Sequence, residues 1–330
     1  AAKDGDSLAD SDRWHASVGD RGAGKVGLAY VDLKALLQSF ASQLDGAQRV
    51  AGPLLLGLLK INPFVATLDA TPDALVADVS SPGTKPDPRG PQAGSSPLIE
   101  ALPPDSWFAL ALPDVGGMLG KLGDVFKANP LIAAQYANVL ARVKAKTGID
   151  LERDVIAAVG DVGLFARGAT PSKVGGGLVI GSQKPAVLAR TVARLPALIR
   201  SEAHGRVRVT SRSSGFDVSA PQMPQPIQVR VSDGGVLAAY GAASTRSAVQ
   251  PRGRLGDTAL FRKAAIAVGQ RPTLFVAFGP ALNLAAASPH HRDDAHFKRA
   301  LPKLQHIEYA AVGVRRDNGL DVVRAVLGLR

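Results

Sequence analysis

Two stretches of this chain, 247 residues apart, line up without a gap, and an internal repeat restricts a fold more than any composition figure does. SLADSDRWHASVGDRGAGKVGLAYVDLKALL (7–37) lies on RLGDTALFRKAAIAVGQRPTLFVAFGPALNL (254–284). Leu8 meets Leu255, Asp10 meets Asp257, Trp14 meets Phe261 and Leu37 meets Leu284. The shared pattern predicts a short capped helix, a turn, a buried strand and a second helix. Asp10 and Asp257 stand where N-caps belong, and the continuous apolar strand reads as covered on both faces. A looser third copy is SPLIEALPPDSWFALALPDVGGMLGKL (96–122).

Each copy ends in a paired strand. FVATLDATPDALVADVSS (64–81) turns at Thr71-Pro72-Asp73 and DVGLFARGATPSKVGGGLVIGS (161–182) turns through Thr170-Pro171-Ser172. IEYAAVGVRRDNGLDVVRAVLGL (307–329) turns at Asp317-Asn318-Gly319, a strong hairpin signal. The expected fold is therefore α+β: antiparallel sheets with helices packed on one face, built from about three helix-strand-helix-strand-strand repeats. A helix over 185–205 and β-type segments at 206–219 and 227–240 complete the pattern. The expected division is an N-terminal unit at 1–80, a Pro/Gly-rich linker at 81–96 and a larger α+β domain at 97–330. That linker lets the first unit swing free; the strength of its match to the last unit equally allows the two to pack together.

GDRGAGKVGL (19–28) imitates a phosphate-binding loop, with Gly19, Gly24 and Lys25 at the right spacing. The imitation fails on chemistry. Val26 stands where Ser or Thr must ligate magnesium, and a strand follows the loop where a helix N-terminus has to meet the phosphates. The stretch reads as a Gly-rich turn. GGGLVIG (175–181) opens a strand, so it is not a dinucleotide fingerprint. No G-x-S-x-G elbow and no H-E-x-x-H occurs, and no catalytic residue and no cofactor is assigned. One cluster has metal-ligand character, His290, His291, Asp293, Asp294 and His296 in SPHHRDDAH. Its competing reading is a polar loop in which Asp293 or Asp294 caps the helix that begins near Phe297.

The chain carries a formal charge of +11, and its three parts differ: 9 Lys/Arg against 11 Asp/Glu in 1–90, 17 against 11 in 91–251, and 13 against 6 in 252–330. A basic C-terminal part admits an anionic partner, although no run of five Lys/Arg focuses it. Aromatic residues at 5% leave few stacking platforms, which argues against specific nucleic-acid binding. Zero cysteine excludes disulfides, thiol catalysis and Cys-ligated metal, and suits an exported chain. The longest apolar run, Leu54–Leu59, is interrupted by Gly57 and is far too short to span a bilayer. The opening AAKDGDSLADSD lacks an initiator Met, so an export signal or anchor is expected ahead of it.

With the repeats laid out, the chain resembles a family of uncharacterised bacterial proteins from high-GC lineages, a domain of unknown function whose members are exported, often as predicted lipoproteins. SPLIEALPPDSWFALALPDVG, TGIDLERDVIAAVGDVGLFARG, GGGLVIGS, GGVLAAYG and LGDTALFRKA carry the resemblance. It implies an extracytoplasmic, membrane-anchored protein and supplies no catalytic residues; the lipobox Cys is absent. The reading that follows is a non-catalytic binding or structural protein of the cell envelope, carrying an amphiphilic ligand between sheet and helices. Its alternatives are an envelope-polymer hydrolase with dispersed catalytic residues and a basic surface for anionic polymers.

Overall fold

Among the described residues, thirteen strands form one antiparallel sheet. The structure, a computed structural model, describes Trp14, Val18 and residues 24–31, 64–82, 94–203, 205–288, 294–317 and 320–330. The strands are β1 (Gly27–Val31), β2 (Phe64–Thr71), β3 (Ala74–Pro82), β4 (Ser106–Leu112), β5 (Val159–Arg167), β6 (Gly175–Ser182) and β7 (Arg208–Arg212), followed by β8 (Gly215–Ser219), β9 (Ile227–Ser232), β10 (Gly235–Tyr240), β11 (Leu274–Ala277), β12 (Ile307–Asp317) and β13 (Leu320–Leu329). Their order across the sheet is β1-β2-β3-β13-β12-β11-β4-β5-β6-β10-β9-β8-β7. The helices described are α1 (Leu98–Ala101), α2 (Val115–Ala128), α3 (Pro130–Thr147), α4 (Pro185–Ala203), α5 (Ala242–Val249), α6 (Ala259–Val268), α7 (Phe278–Ala287) and α8 (Ala295–Leu304). A π-helical turn, Leu151–Ile156, joins α3 to β5.

The hairpins form where the turn residues predict them. β2 and β3 meet around Pro72-Asp73, and β5 and β6 meet across the Thr170–Ser172 turn. Asn318-Gly319 lies outside the described residues, yet β12 and β13 pair from Asp317↔Leu320 up to Ile307↔Leu329. The two β-type segments are each a hairpin, β7–β8 and β9–β10, in one four-stranded meander. Between the meanders the joins are long-range: β3 pairs with β13, β11 with β4 and β10 with β6. The strands of residues 64–82 are thus hydrogen-bonded to the C-terminal strand.

Helices cover both faces, which corrects the expectation of one. Along β10, Leu237 and Ala239 belong to the main core with Ala109, Phe165, Phe275, Tyr309, Ala311 and Val326. Val236 and Ala238 belong to a second core with Phe216, Val229 and the α4 residues Leu188 and Val192. Alternate residues of a strand point to opposite faces, so α4 lies across the sheet from the main core, where α6 buries Phe261, Ala264 and Val268. The physical reason was in GVLAAY itself: a strand without polar alternation is apolar on both sides and needs two covers.

On the main-core face the fit relies on small residues. Phe261 and Phe275 meet edge to face at 5.3 Å. The Tyr309 ring lies over Gly328, its register partner, where a Cβ would collide with the ring. The cap of α6 is a second correction: Thr258, not Asp257, is the N-cap, and its hydroxyl accepts from the Phe261 N–H at 3.4 Å. Asp257 instead ends the short 3-10 turn Leu255–Asp257. The matching Asp10 lies outside the described residues.

Candidate functional site: an open apolar sheet face

Register settles which side chains share a face. Following partners across the sheet, one row runs Leu68 (β2), Ala77 (β3), Ala325 (β13), Val312 (β12), Leu274 (β11), Leu110 (β4), Leu164 (β5) and Leu178 (β6). It continues through Ala238, Val229 and Phe216 onto β8. The neighbouring row runs Leu75, Leu327, Ala310, Val276, Phe108 and Ala166. Neither row contains a charged residue. Strand charges that pair across the sheet, Asp78 with Arg324 and Asp217 with Arg230, alternate onto the opposite face, as do Asp69 and Arg167.

Over β8–β10 the rows are sealed by α4. From β2 to β6 they are only partly covered. Leu68 is 42% exposed, Leu75 40% and Leu164 40%, and Val79, Leu112 and Val323 are exposed too; on β9 the first residue, Ile227, is exposed on the same face. Every exposed large hydrophobic residue on a described strand therefore belongs to this one face. Scattered exposed leucines need no explanation, but exposed large apolar residues gathered on one face of a sheet do. The eight strands from β2 to β6 span about 34 Å at the usual strand spacing, close to the thickness of a bilayer's hydrocarbon core. α7 rests against β4, β11 and β12 while burying none of its own residues.

Several hollows lie elsewhere among the described residues. One of 790 Å³ sits between α5 and strands β6, β9 and β10, floored by Val179 and Leu237 and bordered by Arg230 and Arg246. Arg230 is already committed: its guanidinium pairs with Asp217 at 2.7 Å and donates to the carbonyls of Val229 and Phe216. A smaller hollow of 230 Å³ at the start of α4 gathers Arg153, Lys184, Arg190 and Arg194 around Asp154. There Arg153 pairs with Asp154 at 2.8 Å, and Arg194 donates to the Gly148 carbonyl. Among the described groups, Asp154 is held down to about 2 by the Arg153 hydrogen bond and by the Asp150 N–H.

Of the candidate metal cluster, Asp294 and His296 are among the described residues. Asp294 is the N-cap of α8 and accepts from the His296 N–H at 2.8 Å, which is the capping role foreseen for it. The His296 ring lies 3.2 Å from the Arg299 guanidinium. His290, His291 and Asp293 lie outside the described residues, and among the described residues no group of three or more His, Asp or Glu could hold a metal. Lys25 of the phosphate-loop imitation pairs with Asp69 on β2 at 2.7 Å, just ahead of β1. The opening glycines of β6 are packing positions: a Cβ at Gly176 would strike the Phe165 carbonyl, and one at Gly177 would crowd the Phe165 ring. Among the described residues no helix is long and apolar enough to cross a membrane. Sequence reasoning missed the open face, because its signal exists only once the cross-strand register is known.

Comparison with protein-family models, with curated proteins and with solved structures returns no match.

Proposed function

We propose that this chain is a non-catalytic binding protein for an amphiphilic ligand whose hydrocarbon portion lies on the open face of β2–β6. One observation carries the reading: two adjacent rows without a charge run across the sheet, one over the eight strands β2–β6 and one over six of them, and Leu68, Leu75 and Leu164 within them stay exposed. Removing such a surface from water contributes roughly 25 cal/mol per Å² of apolar area, and a hydrocarbon chain asks for no hydrogen bonds in return. Zero cysteine and the resemblance to exported proteins support placing the protein outside the cytoplasm, at the cell envelope. The three three-stranded meanders, β1–β3, β4–β6 and β11–β13, support an origin from about three copies of one helix-strand-helix-strand-strand unit.

Native mass spectrometry of the protein, set against the same sample after denaturation, tests the reading. A discrete extra mass lost on unfolding and recovered in an organic extract is the expected result. A bare chain, purified without detergent and unchanged by added phospholipid or fatty acid, overturns it.

A further inference from the structure

Four cations and one carboxylate line the 230 Å³ hollow between α4 and the π-helical turn: Arg153, Lys184, Arg190 and Arg194 against Asp154. The acids nearby are already matched. Asp150 pairs with Lys144 at 3.0 Å, Glu152 with Lys127 at 2.7 Å and Asp154 with Arg153 at 2.8 Å. Helix α4 holds a single acid, Glu202, which lies more than two turns beyond Arg194 and pairs with Lys146. Among the described residues, Lys184, Arg190 and Arg194 therefore keep their charges without an ion-pair partner.

That surplus works against the empty protein. Arg190 and Arg194 stand one helical turn apart, a spacing at which like charges repel. Lys184 stands just ahead of Pro185, at the helix end where the backbone dipole disfavours a cation. The walls are nonetheless fixed. The Thr191 hydroxyl donates to the Asp154 carbonyl at 3.2 Å, tying α4 to the π-helical turn. Arg194 is braced by the Gly148 carbonyl at 2.8 Å. An anion seated in the hollow removes both penalties.

We propose that this hollow binds a phosphate monoester group. Charge and shape choose it over other anions. A carboxylate brings one negative charge and two coplanar oxygens, which leaves most of the surplus standing. A phosphate monoester carries about −1.5 to −2 near pH 7 and three strong acceptor oxygens. Those oxygens diverge, which suits two guanidiniums on α4 and an ammonium from the chain ahead of it. Guanidinium forks meet phosphate oxygens two at a time. The hollow is smaller than the roughly 300–1,000 Å³ of pockets that enclose a whole small molecule, so it takes the phosphate and leaves the rest of the ligand outside. The inference goes beyond the amphiphile reading and stands with the open face empty or filled.

The test is isothermal titration calorimetry with glycerol 3-phosphate at about 50 mM salt, against acetate. The phosphate should bind with a Kd below about 1 mM, at least about tenfold tighter than acetate, and weaken as salt rises to about 0.5 M. Lys184→Ala and Arg190→Ala should each weaken it about tenfold at unchanged melting temperature, because both side chains are exposed. Arg190→Lys keeps the charge without the fork and should retain part of the affinity. Arg262→Ala removes the same charge from an exposed position on α6 and should bind as wild type. Dihexanoyl phosphatidic acid separates the two sources of such a group. A gain over glycerol 3-phosphate that Leu164→Lys abolishes makes the phosphate the head of the amphiphile on the open face; equal affinities make it part of a soluble ester. The proposal is overturned by no binding up to about 10 mM phosphate ester, or by acetate binding as tightly. It is overturned equally if Arg262→Ala weakens binding as much as Arg190→Ala, which would reduce the effect to net charge.

Discussion

Arg324 and Asp78 face each other across the β13–β3 junction, joined by two parallel hydrogen bonds of 2.7 Å, from Nε to Oδ1 and from Nη2 to Oδ2. They are register partners 246 residues apart in the chain. The pair clamps the N-terminal strands to the C-terminal strand at the place where neither hairpin turn nor short loop enforces the contact. Both side chains are mostly buried, so the fork geometry is worth more than a surface ion pair.

Replacing Asp78 with Asn keeps the shape and removes the charge. We expect a loss of about 1–3 kcal/mol, the range for a hydrogen bond to a charged partner left incompletely satisfied. Hydrogen exchange should quicken first in β1–β3 and leave β7–β10 protected. Uniform quickening across the sheet would show that the clamp is not specific to this junction.

Local features of this fold were legible in the sequence and long-range ones were not. Thr71-Pro72-Asp73 announces its hairpin because Pro and Asp preset turn dihedrals within four residues. Nothing in LFVA (274–277) says that β11 lies between β12 and β4, since Leu274 finds its register partners Val312 and Leu110 at 38 residues on and 164 residues back along the chain. The open face is the extreme case. Leu68 and Leu164 read as ordinary core positions, and only their alignment through six registers makes them parts of one surface.

The cap of α6 shows the same limit at short range and yields a second prediction. Asp257 and Thr258 are both capping residues by type, and the 3-10 turn before the helix decides between them by presenting the Thr258 hydroxyl to the Phe261 N–H. Thr258→Ala should cost about 1 kcal/mol. Asp257→Ala should cost at most a few tenths, so equal effects in thermal melts would return the cap to Asp257.

Leu164 stands mid-row on the open face with Leu110 and Leu178 as its register partners. Because it is 40% exposed, Leu164→Lys should leave the melting temperature of the empty protein within a few degrees of wild type. It should nonetheless abolish the extra mass in native spectra, since an ammonium amid hydrocarbon costs several kcal/mol. Retention of the amphiphile by this variant and by Leu68→Lys would place the ligand elsewhere, with the hollow beside α5 next in line.

Acid should unfold this protein through its arginine-bound carboxyls. Burial of Asp217 works to raise its pKa, but hydrogen bonds from Arg230 and Arg212 outweigh it and hold the group below the usual carboxylate range. Asp154 is depressed to about 2 by Arg153 and the Asp150 N–H. A group depressed in the folded state stabilises that state fully above its unfolded value of 3.8 and loses the effect as pH falls through the folded one. Melting temperature should therefore be flat from about pH 5 to 8 and fall below about pH 4. Asp217→Asn strips the charge from between two guanidiniums, so at pH 7 it should cost about 2 kcal/mol. Because the wild-type advantage is a property of the ionised carboxylate, the gap between variant and wild type should narrow as the pH approaches 2. A gap that stays constant with pH would mean that Asp217 acts through shape and hydrogen bonding alone.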